Sequence, residues 1–341
     1  MNSFFRKRNV PFSGKILGPI GCVFALILTA GASLAIGSRP IAPREVMNAL
    51  SRREAQTMEE AVIHKRIPRT IGGLIAGAGL GMAGALMQGL TRNPLADPGI
   101  LGVNSGAALF VAGGMAFLGA GRLEQYIWLA LIGAGLSAVL VYVVGSIGIG
   151  GASPLKLALA GAFFSAACSA LTSAVLLPRE RVMEAFRFWQ VGGIGGTTWP
   201  SLRTVAPFLG VGILLGLGTA RSLDILALGD ETAAALGVRV GLIRLLGALA
   251  GVLLCGSVTA FAGPIGFIGL MVPHAVRLLA GPEQGRRISL SAGGGAFLLL
   301  ISDIAGRLIG RPGELEAGLV TAFLGGPVLI VLARKSRIPE L

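Results

Sequence analysis

Charged residues are scarce in this chain, and acidic ones scarcest. Only 13% of its 341 residues are charged, 16 acidic against 29 basic, too few to clothe a water-soluble surface. The formal net charge is +13, yet no helix or tail gathers the Lys and Arg into a groove-binding stripe, so nucleic acid is not an expected partner. Only His64 and His274 are available as imidazoles. With Cys22, Cys168 and Cys255 scattered and no C-x-x-C, neither a metal site nor a cofactor is expected. The three cysteines lie inside apolar runs, where they read as small hydrophobes and say nothing of redox compartment. No G-x-x-x-x-G-K-[ST] occurs, so the chain has no P-loop for ATP; if ATP drives it, another subunit hydrolyses the nucleotide. Asp303 alone among carboxylates lies well inside an apolar segment, whereas ion-coupled carriers usually place several polar groups near the midplane. An enzyme is not expected.

Apolar sequence is what is abundant. A hydrophobic fraction of 53% and a mean hydropathy of +0.79 indicate an integral membrane protein. Ten apolar segments can be marked, at 16–36, 70–90, 100–119, 126–147, 155–177, 204–220, 243–262, 264–280, 288–306 and 317–333. The expected fold is all-α: a polytopic bundle of about ten transmembrane helices forming one domain over 1–341. The break at Gly263-Pro264 leaves nine and eleven open as counts. The first segment follows Phe5-Arg6-Lys7-Arg8 like a secretory signal but exceeds the ~7–15 residues of a signal core, so it reads as a retained helix. Gly73, Gly77 and Gly81 recur every fourth position, the spacing that lets helix backbones approach closely in lipid. The formal dinucleotide fingerprint Gly79-x-Gly81-x-x-Gly84 lies inside this uncharged helix, not after a strand, and is rejected. Residues 97–102 and 263–269 echo one another faintly, as internal repeats do.

Orientation is weakly marked. With both termini inside, fifteen of the 29 basic residues face inward and fourteen outward. Arg6, Lys7, Arg8 and Lys15 ahead of the first helix favour termini inside, and Arg39, Arg44, Arg52 and Arg53 after it weaken the preference. Basic residues retained outside suit either docking of an acidic soluble partner or simple neutralisation by Glu45, Glu54, Glu59 and Glu60.

The chain is organised around Arg66 to Gly106, RIPRTIGGLIAGAGLGMAGALMQGLTRNPLADPGILGVNSG. Pro68 suits the first turn of a helix, and a polar turn from Thr91 to Gly99, with Asn93, Pro94, Asp97, Pro98 and Gly99, leads into the next apolar run. Arg66 and Arg69, three apart, read either as a cap at the headgroups or as two forks for a partner's acidic groups. A polar loop over about 221–242 contains Asp230, Glu231, Leu236, Gly237 and Val238; its acidic start and Gly stop spell a short helix, either solvated or seated in a partner's groove. Asp303 and Arg307, at i and i+4, are expected to pair within the membrane. His274 is expected to make a structural hydrogen bond.

Several stretches together resemble one family. Arg66, Pro68 and Arg69, then Asn93-Pro94-Leu95-Ala96-Asp97-Pro98-Gly99 with Leu101, Gly102 and Val103, then FWQVGG at 188–193, ETAAALGV at 231–238, GPIGFIGLMVPH at 263–274 and DIAGR at 303–307 follow the order found in permease subunits of ATP-driven importers for ferric siderophores, haem and cobalamin. The resemblance spans about residues 40–335. It implies ten helices per subunit, two permeases (the same or sister chains) enclosing the path, cytoplasmic termini and residence in the inner membrane. It implies that Arg66, Arg69 and Arg307 meet glutamates of a periplasmic or lipid-anchored substrate-binding protein. It also implies that Asp230, Glu231, Leu236, Gly237 and Val238 dock into a cytoplasmic ABC ATPase dimer. The Thr91 to Asp97 form looks most like ferric-siderophore permeases, with cobalamin and haem as alternatives. A partner-independent secondary transporter or channel is the more distant alternative.

Overall fold

The computed structural model describes residues 12–37, 41–52, 55–148, 153–281 and 283–335. Arg6, Lys7, Arg8, Arg39, Arg53 and Glu54, all of which bear on orientation and outer charge, lie outside the described residues. Every regular element among the described residues is helical: α1 (Phe12–Ala35), α2 (Pro43–Ser51), α3 (Met58–Thr91), a 3-10 turn (Pro98–Leu101), α4 (Val103–Phe117), α5 (Leu123–Ser146), α6 (Pro154–Leu176), α7 (Glu180–Val191), α8 (Trp199–Leu226), α9 (Asp230–Ala235), α10 (Val240–Ala262), α11 (Ile268–Ala280), α12 (Gln284–Ile309) and α13 (Ala317–Lys335).

Each of the ten apolar segments is a helix, but they are not ten equal spans. Among the described residues six helices, α3, α5, α6, α8, α10 and α12, are long and apolar enough to cross a bilayer, and α1, α4 and α13 contribute shorter apolar stretches. At thirteen residues, α11 is only ~20 Å long, short of the ~30 Å of hydrocarbon. The described residues therefore form an all-helical polytopic membrane protein that combines six long apolar helices with shorter ones.

Helix boundaries depart from the apolar pattern where polar turns extend a helix beyond the hydrocarbon. α3 begins at Met58, where the Thr57 hydroxyl caps it by accepting from the Glu60 N–H, so Pro68 lies in the helix interior and not in its first turn. Similarly α8 runs to Leu226 and α10 starts at Val240, which places Arg221, Asp224 and Arg244 on helices and leaves 227–239 as the connection. Two surface helices were not anticipated. Amphipathic α2 sets Val46 and Ala49 against Ile63, and α7 turns Phe186 and Trp189 inward.

α3 and α10 form the axis, with 78% and 72% of their apolar windows buried against 22% for peripheral α6. α3 packs most extensively on α12. Gly77 faces Gly295 and Ala296, and Gly81 faces Ser291, so closely that a Cβ on either glycine would overlap the α12 backbone. The two short helices α4 and α11 each start from a left-handed residue, Gly102 (φ 70°) and Phe267 (φ 68°), each lying within one of the two stretches that echo one another in sequence.

Candidate functional site

Side chains with chemistry to offer collect at opposite ends of the bundle. At the end where α1 finishes, the carboxylate of Asp303 is buried between two guanidiniums. Arg69 donates to it through Nη2 at 2.7 Å and Nε at 3.2 Å, and Arg307 Nη2 lies 2.9 Å from Oδ2. Arg69 also reaches the half-exposed Glu314 at 2.6 Å. A third carboxylate, Glu316, borders the group; burial pushes it above its ordinary range and the Arg69 charge pulls it back.

The remaining donors here close α1. A helix leaves its last four carbonyls without intrahelical partners and carries a negative dipole end. Arg307 Nη1 donates to Ser33 O and Ile36 O at 2.9 Å, and its Nη2 to Ser33 Oγ. Arg66 Nη1 donates to Leu34 O at 2.9 Å and Ala35 O at 3.2 Å, and Arg311 reaches Gly37 O. The structure thus brings Arg66, Arg69, Asp303 and Arg307 together, with Arg66 and Arg307 buried and turned onto α1. Arg69 lies under Glu314. Neither Glu314 nor Ser33 was singled out in the sequence, and nothing local marks them, since their partners are hundreds of residues away in the chain.

At the opposite end lie the polar turn and α9. Asn93 Oδ1 accepts from Leu95 N–H at 2.9 Å, and Asp97 Oδ1 accepts from Gly99 N–H at 2.8 Å, two side-chain turns that fold the segment back on itself. Pro98 opens the 3-10 turn, whose end at Gly102 leads into α4; Pro94 sits half-buried between the two turns. α9 has the foreseen acidic start, Asp230 and Glu231. Gly237 (φ 83°) ends it, with N–H bonds from Gly237 to Ala234 O and from Val238 to Ala233 O, both 2.9 Å. Ala233 packs inward while Glu231 and Leu236 face out.

The Asp230 side chain is held within the chain. Arg92 donates to Oδ1 at 2.5 Å and to Leu226 O, and Arg244 donates to Oδ2 at 2.7 Å. Arg92 and Arg244 were not marked as site residues, yet through Asp230 they tie α9 to the ends of α3 and α10. His274 corrects its expectation: among the described residues its side chain has no hydrogen-bond partner, and its Nδ1 is buried. The residues described contain no metal-binding group of three or more His, Cys, Asp or Glu.

Comparison with known proteins agrees over nearly the whole chain. The model of the FecCD transport family matches residues 25–335. The ferric enterobactin transport system permease protein FepD of Escherichia coli (strain K12) is 42% identical over 92% of this chain and 94% of its own. The Fe(3+)-citrate import system permease protein YfmD of Bacillus subtilis (strain 168) is 39% identical over 95% and 96%. A solved structure described as an inward-facing conformation of a metal-chelate type ABC transporter superposes with a TM-score of 0.79 at 29% identity, covering 93% of this chain and 98% of that one.

Proposed function

The chain belongs to the FecCD transport family, and from that premise we propose that it is the membrane permease of an ATP-driven importer of a ferric siderophore. The similarity to the ferric enterobactin permease over almost the full length of both chains carries this reading. The protein is a transport permease and not an enzyme. A binding protein delivers the loaded siderophore at the α1 end, a separate ABC ATPase acts at the α9 end, and a second permease completes the path. Both termini then lie in the cytoplasm and the bundle crosses the inner membrane.

Alternating access requires each partner to bind the two permease states with different affinity. Both oxygens of the buried Asp303 carboxylate are engaged by Arg69 and Arg307, which leaves it poorly placed to serve a coupling ion and weighs against an ion-coupled carrier. At the α1 end we assign docking to Arg66, Arg69 and Arg307, with Arg69 making the direct contact and the buried Arg66 and Arg307 holding the surface in place. A glutamate of the binding protein would take the place of Glu314 on Arg69, an exchange of one exposed carboxylate for another. At the α9 end Glu231, Leu236, Gly237 and Val238 form the coupling surface, and Asp230 holds it in position.

The deciding experiment is uptake of radio-iron presented as a panel of siderophores and as haem, with labelled cobalamin alongside, in cells with and without the chain. Loss of one ferric siderophore is the expected result. Loss of haem or cobalamin alone would reassign the substrate, and uptake into vesicles containing this chain alone would overturn the partner-driven mechanism. Arg66→Glu with Arg69→Glu should abolish uptake while the protein still reaches the membrane; normal uptake would remove the docking assignment.

A further inference from the structure

One corner at the α9 end holds positive charge that no acceptor among the described residues answers. His274 and Arg277 are one turn apart on α11, and Arg287 is the fourth residue of α12. α11 packs against α12, so the last turns of one bring His274 and Arg277 beside the first turn of the other and Arg287; the charges of both arginines bear on the His274 imidazole. Arg287 Nε and His274 Nδ1 are buried without hydrogen-bond partners. Among the described residues no carboxylate comes within ion-pair distance of Arg277 or Arg287. Asp224 is felt by Arg287 from a distance, but its Oδ1 accepts from the Gln284 N–H at 2.8 Å.

Local structure does not account for this. A cation in the last turn of α11 is favoured by that helix's dipole, which explains Arg277 alone. Arg287 stands at the other kind of end, the positive start of α12, where a second cation is disfavoured. Its neighbour Arg286 is answered by Glu283 at 3.1 Å, whereas Arg287 is not. A buried charged donor without a partner is costly, so the corner is built for an anion supplied from outside the chain.

Two guanidiniums and an imidazole suit a phosphate, whose several oxygens accept forked N–H pairs. The corner lies where α11 ends and α12 begins, at headgroup depth for a helix that enters the bilayer there. Ile301, exposed and on the Arg287 side of α12 further along the helix, offers an apolar surface to an acyl chain. We propose that His274, Arg277 and Arg287 bind the phosphate of an anionic phospholipid at the α9 end of the bundle. The site is independent of the transported substrate and of the docking assignments.

The test is native mass spectrometry of the full-length protein in mixed micelles containing equal amounts of phosphatidylglycerol and phosphatidylcholine. The wild type should retain phosphatidylglycerol preferentially, and Arg277→Gln with Arg287→Gln should lower that retention roughly 30-fold, from about fivefold per arginine near an anionic headgroup. Arg286→Gln, which removes only the Glu283 pair, should leave it within about twofold. Arg287→Lys, a change expected to fold normally, keeps the charge but not the fork and should give an intermediate loss. Unchanged retention in the double variant, or in Arg287→Lys if the double variant is not monodisperse, overturns the site. Full displacement by millimolar inorganic phosphate would make free phosphate the ligand and overturn the lipid assignment. Unchanged lipid with loss of co-purifying ATPase subunit would assign the corner to an acidic protein surface instead.

Discussion

The two ends of the bundle hold comparable sets of arginines and treat them in opposite ways. At the α1 end, Arg69 and Arg307 share the Asp303 carboxylate, and the donors left over close the carbonyls of α1. At the α9 end, Asp230 answers Arg92 and Arg244, but among the described residues Arg277 and Arg287 have no carboxylate within ion-pair distance. With 16 acidic residues for 29 basic ones, acids cannot be placed beside every cation. The chain places them where burial leaves no alternative, and omits them where the surroundings can supply an anion. Desolvated charge demands an internal partner, whereas charge at a membrane face does not.

The contrast can be broken most severely at Asp303. Asp303→Ala leaves the buried Arg307 guanidinium without a carboxylate and Arg69 with Glu314 alone, and should destabilise the protein by about 3–5 kcal/mol, read as thermal unfolding in detergent. Asp303→Leu with Arg307→Met removes one charge of each sign and should recover part of that loss; equal damage from both variants would mean that shape and not charge governs this end. Next in size is the seam joining the ends: Gly77→Leu forces α3 off the α12 backbone and should cost about 1–3 kcal/mol or more, with reduced membrane insertion as the readout.

At the α9 end the effects on stability should be smaller. Asp230→Asn weakens two partly exposed pairs and should cost only about 0.2–1 kcal/mol, yet siderophore-stimulated ATPase activity should fall well beyond that, because α9 loses its tether. Activity falling only in step with stability would deny α9 a coupling role. The smallest effect concerns His274, whose imidazole is held below its ordinary range by burial and by the charges of Arg277 and Arg287. A base with a depressed folded pKa contributes stability that is present above its unfolded value, roughly 6.5, and lost as pH falls through the folded value. In lipid-free detergent, His274→Gln should flatten the acid side of the stability profile below that point; an unchanged slope would show that the imidazole does not titrate there.

The sequence made the spans legible because a membrane imposes a length and an apolar composition that neighbouring helices cannot override. Its ten segments all proved helical, while α11 shows why counting segments overstates full crossings. Polar helix turns outside the hydrocarbon carry no such signature, so the start of α3 at Met58 and the surface helices α2 and α7 were hidden. α9 was readable from its acidic start and Gly237, both local signals, and the Asp303 and Arg307 contact from i, i+4 spacing. Arg69 reaching Asp303, 234 residues on, or Arg92 reaching Asp230, 138 residues on, could not be read, because only the packed bundle brings those residues together.

The contact of α3 with α12 has a mechanical consequence. Where Gly77 and Gly81 meet residues 291–296, backbone rests on backbone, and no side chain stands between to change rotamer and absorb a displacement. The two helices form a single beam, ~50 Å long on its α3 side. One end carries Arg69 and Asp303, and the other carries Arg92, which grips α9. At that contact neither helix can tilt toward the other without a backbone clash, so a displacement of α3 there must carry α12 with it.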